Sequence, residues 1–181
     1  MIKVAKFEKV SLQQFENDYL NSFPELNLRN IDLIYSRVKM PKRATVGSAG
    51  YDFYAPFDIE LKPGETVKVP TGIRAKINEG WVLTIYPRSG LGFKYRLQLN
   101  NTVGIVDADY YGSSNEGHIY IKITNDTNEN RVVKIKEGEG FAQGIFLPFG
   151  IVEDDEVTEI RDGGFGSTTK KYLLLVFCAK K

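Results

Sequence analysis

From about Ile34 onward the chain is a series of short β-prone runs punctuated by glycine and proline, and that rhythm leaves few folds open. Residues 57–61 and 66–69 flank the turn Lys62-Pro63-Gly64-Glu65, and Asn78-Glu79-Gly80 precedes a run at 81–86. Residues 118–123 and 131–135 alternate apolar and polar positions around a loop at 125–130. Many short strands at this spacing predict an all-β barrel or sandwich, of which the double-sheet jelly roll is one solution. No alternation of strand and helix signals a parallel sheet, and no internal repeat is present. At 181 residues the chain suits one domain with a small appendage.

The first forty residues have a different texture. Ser11 with Gln14 three residues on is a capping-box pattern. Leu12, Phe15, Tyr19, Leu20 and Phe23 follow at helical spacing, and Pro24 ends the run. This amphipathic helix must bury one face, on its own core or on a neighbouring subunit. The expected organisation is a helical extension over 1–33, a β-barrel over 34–152, a hinge and arm over 153–169 and an apolar tail over 170–181. The acidic run Glu153-Asp154-Asp155-Glu156 reads as a solvated hinge rather than a metal site, since no spaced partner accompanies it. The glycine-rich segment from Arg161 to Thr169 builds no core; it is disordered or orders on a ligand. The tail's apolar run is too short to span a bilayer.

Composition removes several function classes. A net charge of +1 gives no electrostatic case for nucleic acid or an acidic membrane as partner. A single cysteine, Cys178, forbids an internal disulfide and a thiolate metal site. With one histidine, His118, neither a Ser-His-Asp triad nor a histidine zinc site is expected. No basic-then-apolar leader pattern opens the chain, so a cytoplasmic location is the expectation.

Five segments carry chemistry. In Gly104-Ile105-Val106-Asp107-Ala108-Asp109-Tyr110-Tyr111-Gly112 a β-prone run ends in a carboxylate, with an aromatic three residues later. Asp107 there is either a strand-end turn residue or a partly desolvated general base, and Tyr110 offers a flat ring beside it. Ser48-Ala49-Gly50-Tyr51-Asp52 sets a carboxylate beside small residues that let backbones come close. Tyr86-Pro87-Arg88-Ser89-Gly90-Leu91-Gly92 puts a guanidinium and a hydroxyl at a strand end, suited to phosphate although the P-loop spacing is absent. Gly140-Phe141-Ala142-Gln143-Gly144 supplies an amide, either functional or a surface glutamine on a β edge. The arm offers a ring, Phe165, small hydroxyls, Ser167 and Thr168, and a cation, Arg161. A base, a stacking surface and several anion holders together imply a nucleotide and phosphoryl chemistry.

In this order and spacing, over about residues 35–168, the five segments resemble the trimeric dUTPase family (dUTP diphosphatases). The resemblance implies a jelly-roll or distorted β-barrel subunit of the β-clip type. It also implies a homotrimer whose active sites are shared, the arm of one subunit closing over a site between the other two. Asp107 is then the base for the water that attacks the α-phosphorus of dUTP, releasing dUMP and pyrophosphate. Such an activity keeps uracil out of DNA and supplies dUMP for thymidylate synthesis. Arg88, Ser89 and Gly90 hold the phosphate chain, with Gln143 on it or on its ordered waters. Asn101 and the backbone around Ile105, Val106 and Tyr120 read the uracil edge, and Tyr110 packs beneath the deoxyribose. Phe165, with Gly166 beside it, stacks on the uracil, while Arg161, Ser167 and Thr168 grip the distal phosphates. Mg2+ accompanies the substrate, with Asp52 near its water shell and no direct protein ligand.

The chain departs from the family pattern at Ser113-Ser114-Asn115-Glu116, an insertion in the uracil-reading hairpin, and His118 after it reads as an exposed strand histidine. Arg161 stands one residue closer to Gly163-Gly164-Phe165-Gly166 than is common, and Thr169 replaces a glycine. Two rival functions share the fold. A dCTP deaminase needs an Arg-Ser-Ser-x-Ala-Arg type segment and a glutamate in place of the base, where this chain has Arg88-Ser89-Gly90-Leu91-Gly92 and Asp107. A non-enzymatic module would use nucleotide only to order its arm.

Overall fold

The computed structural model describes residues 2–24, 30–159 and 161. The strands among them are β1 (Ala5–Lys9), β2 (Lys42–Arg43), β3 (Tyr51–Tyr54), β4 (Ile59–Leu61), β5 (Thr66–Pro70) and β6 (Ile73–Ile77). They continue as β7 (Trp81–Pro87), β8 (Leu97–Leu99), β9 (Gly104–Val106), β10 (Tyr120–Asn125), β11 (Val133–Ile135) and β12 (Gly140–Pro148). Three helices accompany them: α1 (Leu12–Ser22), α2 (Ile31–Arg37) and α3 (Ser89–Tyr95). Every pairing is antiparallel. The largest sheet runs β2-β3-β12-β7-β9, and a second runs β5-β10-β8. The pairs β1-β6 and β11-β4 complete the set, and the expected all-β jelly-roll architecture is what the chain adopts.

The strands form where the alternation is cleanest. In β6 and β10 the residues Ile73, Ala75 and Ile77, and Ile121 and Ile123, turn inward while their neighbours face out. β7 reads differently because it lies between β12 and β9, and its Leu83, Thr84 and Ile85 are all buried. Gly64 and Gly80, at φ 81° and 77°, take the left-handed turn positions that Pro63-Gly64 and Glu79-Gly80 foreshadow.

α1 begins where the cap pattern places it, with Ser11 Oγ accepting from the Gln14 N–H at 3.1 Å. The reciprocal half of the box is supplied from elsewhere. Glu116, from the turn at 113–116, accepts the Ser11 N–H at 2.8 Å and its hydroxyl at 2.6 Å. A carboxylate is the stronger acceptor, and it frees the Gln14 amide to donate to Asp18 at 2.8 Å. Phe15 and Tyr19 are buried, Leu20 and Phe23 pack on the core, and Leu12, expected on the same face, is 38% exposed. α1 rests on β5 and α2.

β1 carries no alternating strand pattern of its own. It pairs in full with β6, Phe7 opposite Ala75. The Phe7 ring meets Tyr51, Phe53 and Phe146 at 5.4–5.7 Å between centroids, tying the N-terminal segment to the largest sheet.

Candidate active site

Neighbouring strands of the largest sheet bring three of the motifs side by side. Gln143 on β12 stands opposite Asp52 on β3 and opposite Tyr86 on β7. It lies on a central strand rather than an edge, and its amide donates to the Pro87 carbonyl at 3.2 Å. Gly50 gives way to it: a methyl there would sit 2.7 Å from Gln143 Oε1. Asp52 Oδ1 faces Arg88 Nε at 3.2 Å, and Arg88 also donates to the Gly140 carbonyl at 3.2 Å. A bulge between Gly140 and Ala142 shifts the register of β12 at this spot. Arg88, Ser89 and Gly90 then line an open cavity of about 410 Å³ with Leu91, Glu139 and Gly140. The Arg88 guanidinium there suits an anion. Glu139 was not among the expected residues; its carboxylate accepts the Lys136 N–H at 2.9 Å, an ordinary turn bond from which the sequence gives no signal of a cavity wall.

The hairpin motif lines a second cavity, of about 210 Å³. Asn101, Gly104 and Tyr120 face it, with Ile85, Leu99 and Ile121 as apolar wall. Such a mix of flat apolar surface and a few amide and backbone groups suits a nucleobase. Ile105 is 57% exposed, whereas Val106 is buried opposite Leu83. The two cavities have no lining residue in common.

Asp107 follows β9 directly and stands before a short 3-10 helix, Ala108–Gly112. Its side chain is 43% exposed, open enough for water to reach. The Arg161 guanidinium lies directly against Asp107 Oδ2, and its Nε faces Asp109 Oδ1 at 3.1 Å. The arm's arginine therefore meets the candidate base, an arrangement that the phosphate-gripping expectation did not include. Tyr110 is buried beneath this turn, the Arg161 guanidinium 6.0 Å from its ring. Its hydroxyl donates to the His118 carbonyl at 2.8 Å, and burial pushes its pKa up. Phe165, Gly166, Ser167 and Thr168 lie outside the described residues, as do Thr169, Cys178 and the tail.

His118 is not the exposed strand residue expected. It is fully buried, Nδ1 lying 2.6 Å from Asp18 Oδ2 while the Gly72 N–H donates to Nε2 at 2.7 Å. The partner that buries it lies on α1, 100 residues away, where no local pattern reports it.

Among the described residues no three His, Cys, Asp or Glu side chains converge on a metal position, and no helix is long and apolar enough to cross a membrane.

The comparisons with known proteins agree on one family. The dUTPase family model matches residues 36–169. The deoxyuridine 5'-triphosphate nucleotidohydrolase of Lactococcus lactis is 44% identical over 134 residues, 72% of this chain and 88% of that protein. Among solved structures, the dUTPase from Streptococcus mutans superposes with a TM-score of 0.60 at 32% identity, covering 81% of this chain and 98% of that one. A mutant dUTPase from phage phi11 of S. aureus, described with a structural Mg(II) ion, shares the fold at a TM-score of 0.59 and 21% identity, covering 87% of this chain and 98% of that one. With its antiparallel barrel, paired cavities and five ordered motifs, the chain belongs to the dUTPase family.

Proposed function

We propose that the chain hydrolyses dUTP to dUMP and pyrophosphate, with Asp107 as general base. The observation that carries this reading is the position of Asp107. It is a half-exposed carboxylate at the end of the strand whose first residue, Gly104, lines the base-sized cavity. Asp107 takes a proton from a water, the water oxygen bonds to the α-phosphorus, and the bond to the oxygen bridging the α- and β-phosphorus breaks. Pyrophosphate leaves with that bond's electron pair. Such a displacement needs positioning, charge neutralisation and a base, and little else.

Arg88, Ser89 and Gly90 hold the phosphate chain in the larger cavity, with Gln143 on it or on its waters. Asn101 and the backbone at Ile105, Val106 and Tyr120 read the uracil edge, and Tyr110 packs beneath the deoxyribose. A site built to hydrogen-bond its substrate rejects analogues far better than an apolar pocket does. The arm supplies Phe165 and Gly166 over the base and Arg161, Ser167 and Thr168 at the distal phosphates, so Arg161 exchanges its contact with Asp107 for one with substrate. Mg2+ bound to the triphosphate would neutralise part of its charge. Asp52, a mostly buried carboxylate engaged by Arg88 at the edge of the anion cavity, suits its water shell.

The site is shared within a homotrimer. Two cavities with no residue in common, one fit for a base and one for phosphates, support a substrate held between chains. Phe93, 93% exposed, and the exposed run of Phe149, Ile151 and Val152 offer apolar surface for that assembly.

Pyrophosphate release measured with dUTP, dTTP, UTP and dCTP, with and without Mg2+, tests the reading. Release from dUTP alone is expected, fastest with Mg2+; silence on dUTP, or ammonia from dCTP, would overturn it. In Asp107→Asn, dUTP binding should persist while kcat falls by roughly 10²- to 10⁴-fold, the usual worth of a general base.

A further inference from the structure

Asp18 lies on α1, in a segment that contributes none of the expected site residues, yet it is 6% exposed and surrounded by donors. Oδ2 lies 2.6 Å from His118 Nδ1 and 2.8 Å from Gln14 Nε2, and the Tyr120 hydroxyl also hydrogen-bonds this carboxylate. Because the Gly72 N–H donates to His118 Nε2, that nitrogen carries the lone pair, and the ring proton sits on Nδ1, facing Asp18. The His118 ring lies 4.8 Å from that of Tyr120, and the His118 carbonyl accepts the Tyr110 hydroxyl at 2.8 Å. Asn115, from the inserted turn, donates to the same hydroxyl at 2.8 Å. One buried network thus joins the N-terminal helix to both tyrosines assigned to the nucleoside.

We infer that Asp18 is a positioning residue for nucleoside recognition, acting through His118 on Tyr110 and Tyr120 without touching the nucleotide. The inference rests on the dUTP-hydrolysing reading above. Charge-assisted bonds in a water-free setting are the strong ones, and groups that lock a binding side chain set how well the pocket discriminates. Gly72 belongs to the device. Its φ of 74° presents the N–H to His118, and a methyl there would lie 3.1 Å from Val38.

The test uses the full chain. Asp18→Asn keeps the volume and one acceptor but removes the charge on which three donors converge. KM for dUTP should rise about tenfold with kcat held within about threefold, because recognition is loosened and the reacting groups are not. Preference for dUTP over UTP should fall by a similar factor. Gln13→Ala removes an exposed bond of the same helix, to Asn17 at 3.2 Å, and should leave KM and selectivity unchanged. Wild-type KM and selectivity in Asp18→Asn, or an equal shift in Gln13→Ala, would overturn the inference.

If Asp18→Asn fails to fold, the wild-type chain still decides. His118 is its sole histidine, so labelled imidazole gives one pair of nitrogen resonances. These should report the Nδ1–H tautomer and shift when dUMP is added; an unmoved ring would refute the coupling. A wild-type chain that leaves dUTP intact would instead sink the functional reading, which separates the two failures.

Discussion

Asp18 shows how a single residue can be both buried and charged. Burial pushes its carboxyl pKa up, but hydrogen bonds from His118, Tyr120 and Gln14 outweigh that, and the pKa lies below the ordinary value of 3.8. A carboxylate with a depressed folded-state pKa stabilises the fold fully above the unfolded value, and that contribution is lost as the pH falls through the folded one. Chemical denaturation followed from pH 6 down to about pH 2 should therefore show a loss of stability below about pH 4 that Asp18→Asn lacks in part. Identical slopes for the two proteins would mean that the network does not hold the charge. Tyr120 carries the opposite sign of the same physics, its hydroxyl pKa raised by burial and then by the neighbouring Asp18 charge.

At the scale of elements, α1 is held by what it buries. Phe15 is fully enclosed, its ring 5.6 Å from Tyr35 and 6.1 Å from His118. Phe15→Ala should cost about 3–5 kcal/mol in urea-derived stability, the usual worth of an aromatic core side chain; a loss under 1 kcal/mol would mean that the helix is not docked on the barrel. α1 was legible because its cap and apolar spacing are local, and so were β10 and β11, whose alternation needs no partner to be seen. β1 was not. Ala-Lys-Phe-Glu-Lys carries three charges in five residues, and only its pairing with β6, some 68 residues on, makes it a strand. The same holds at the site: the five motifs are each continuous in sequence and could be read, whereas the burial of His118 on Asp18 and the contact of Arg161 with Asp107 are set by distant segments.

For the whole molecule, the proposed sharing of sites between subunits has a direct check. Asp107→Asn and Arg88→Ala each disable one half of the machinery. When the two inactive proteins are mixed and allowed to exchange subunits, sites that draw Asp107 and Arg88 from different wild-type faces should regain activity. The recovered fraction should approach the share of sites that carry neither change. A mixture as silent as its parts, with exchange shown by sedimentation of tagged chains, would place both residues in one subunit's site.

The nine-residue β12 lies between β3 and β7, and its Gln143 faces Asp52 across 91 positions of chain. Among the described residues, the strand that joins the two halves of the largest sheet is thus the last to leave the ribosome during synthesis. At roughly 5–20 residues per second the earlier strands wait several seconds with their inner faces unpaired. Because pairings between such distant segments form slowly, closure of the barrel by β12 is expected to limit folding more than any hairpin does.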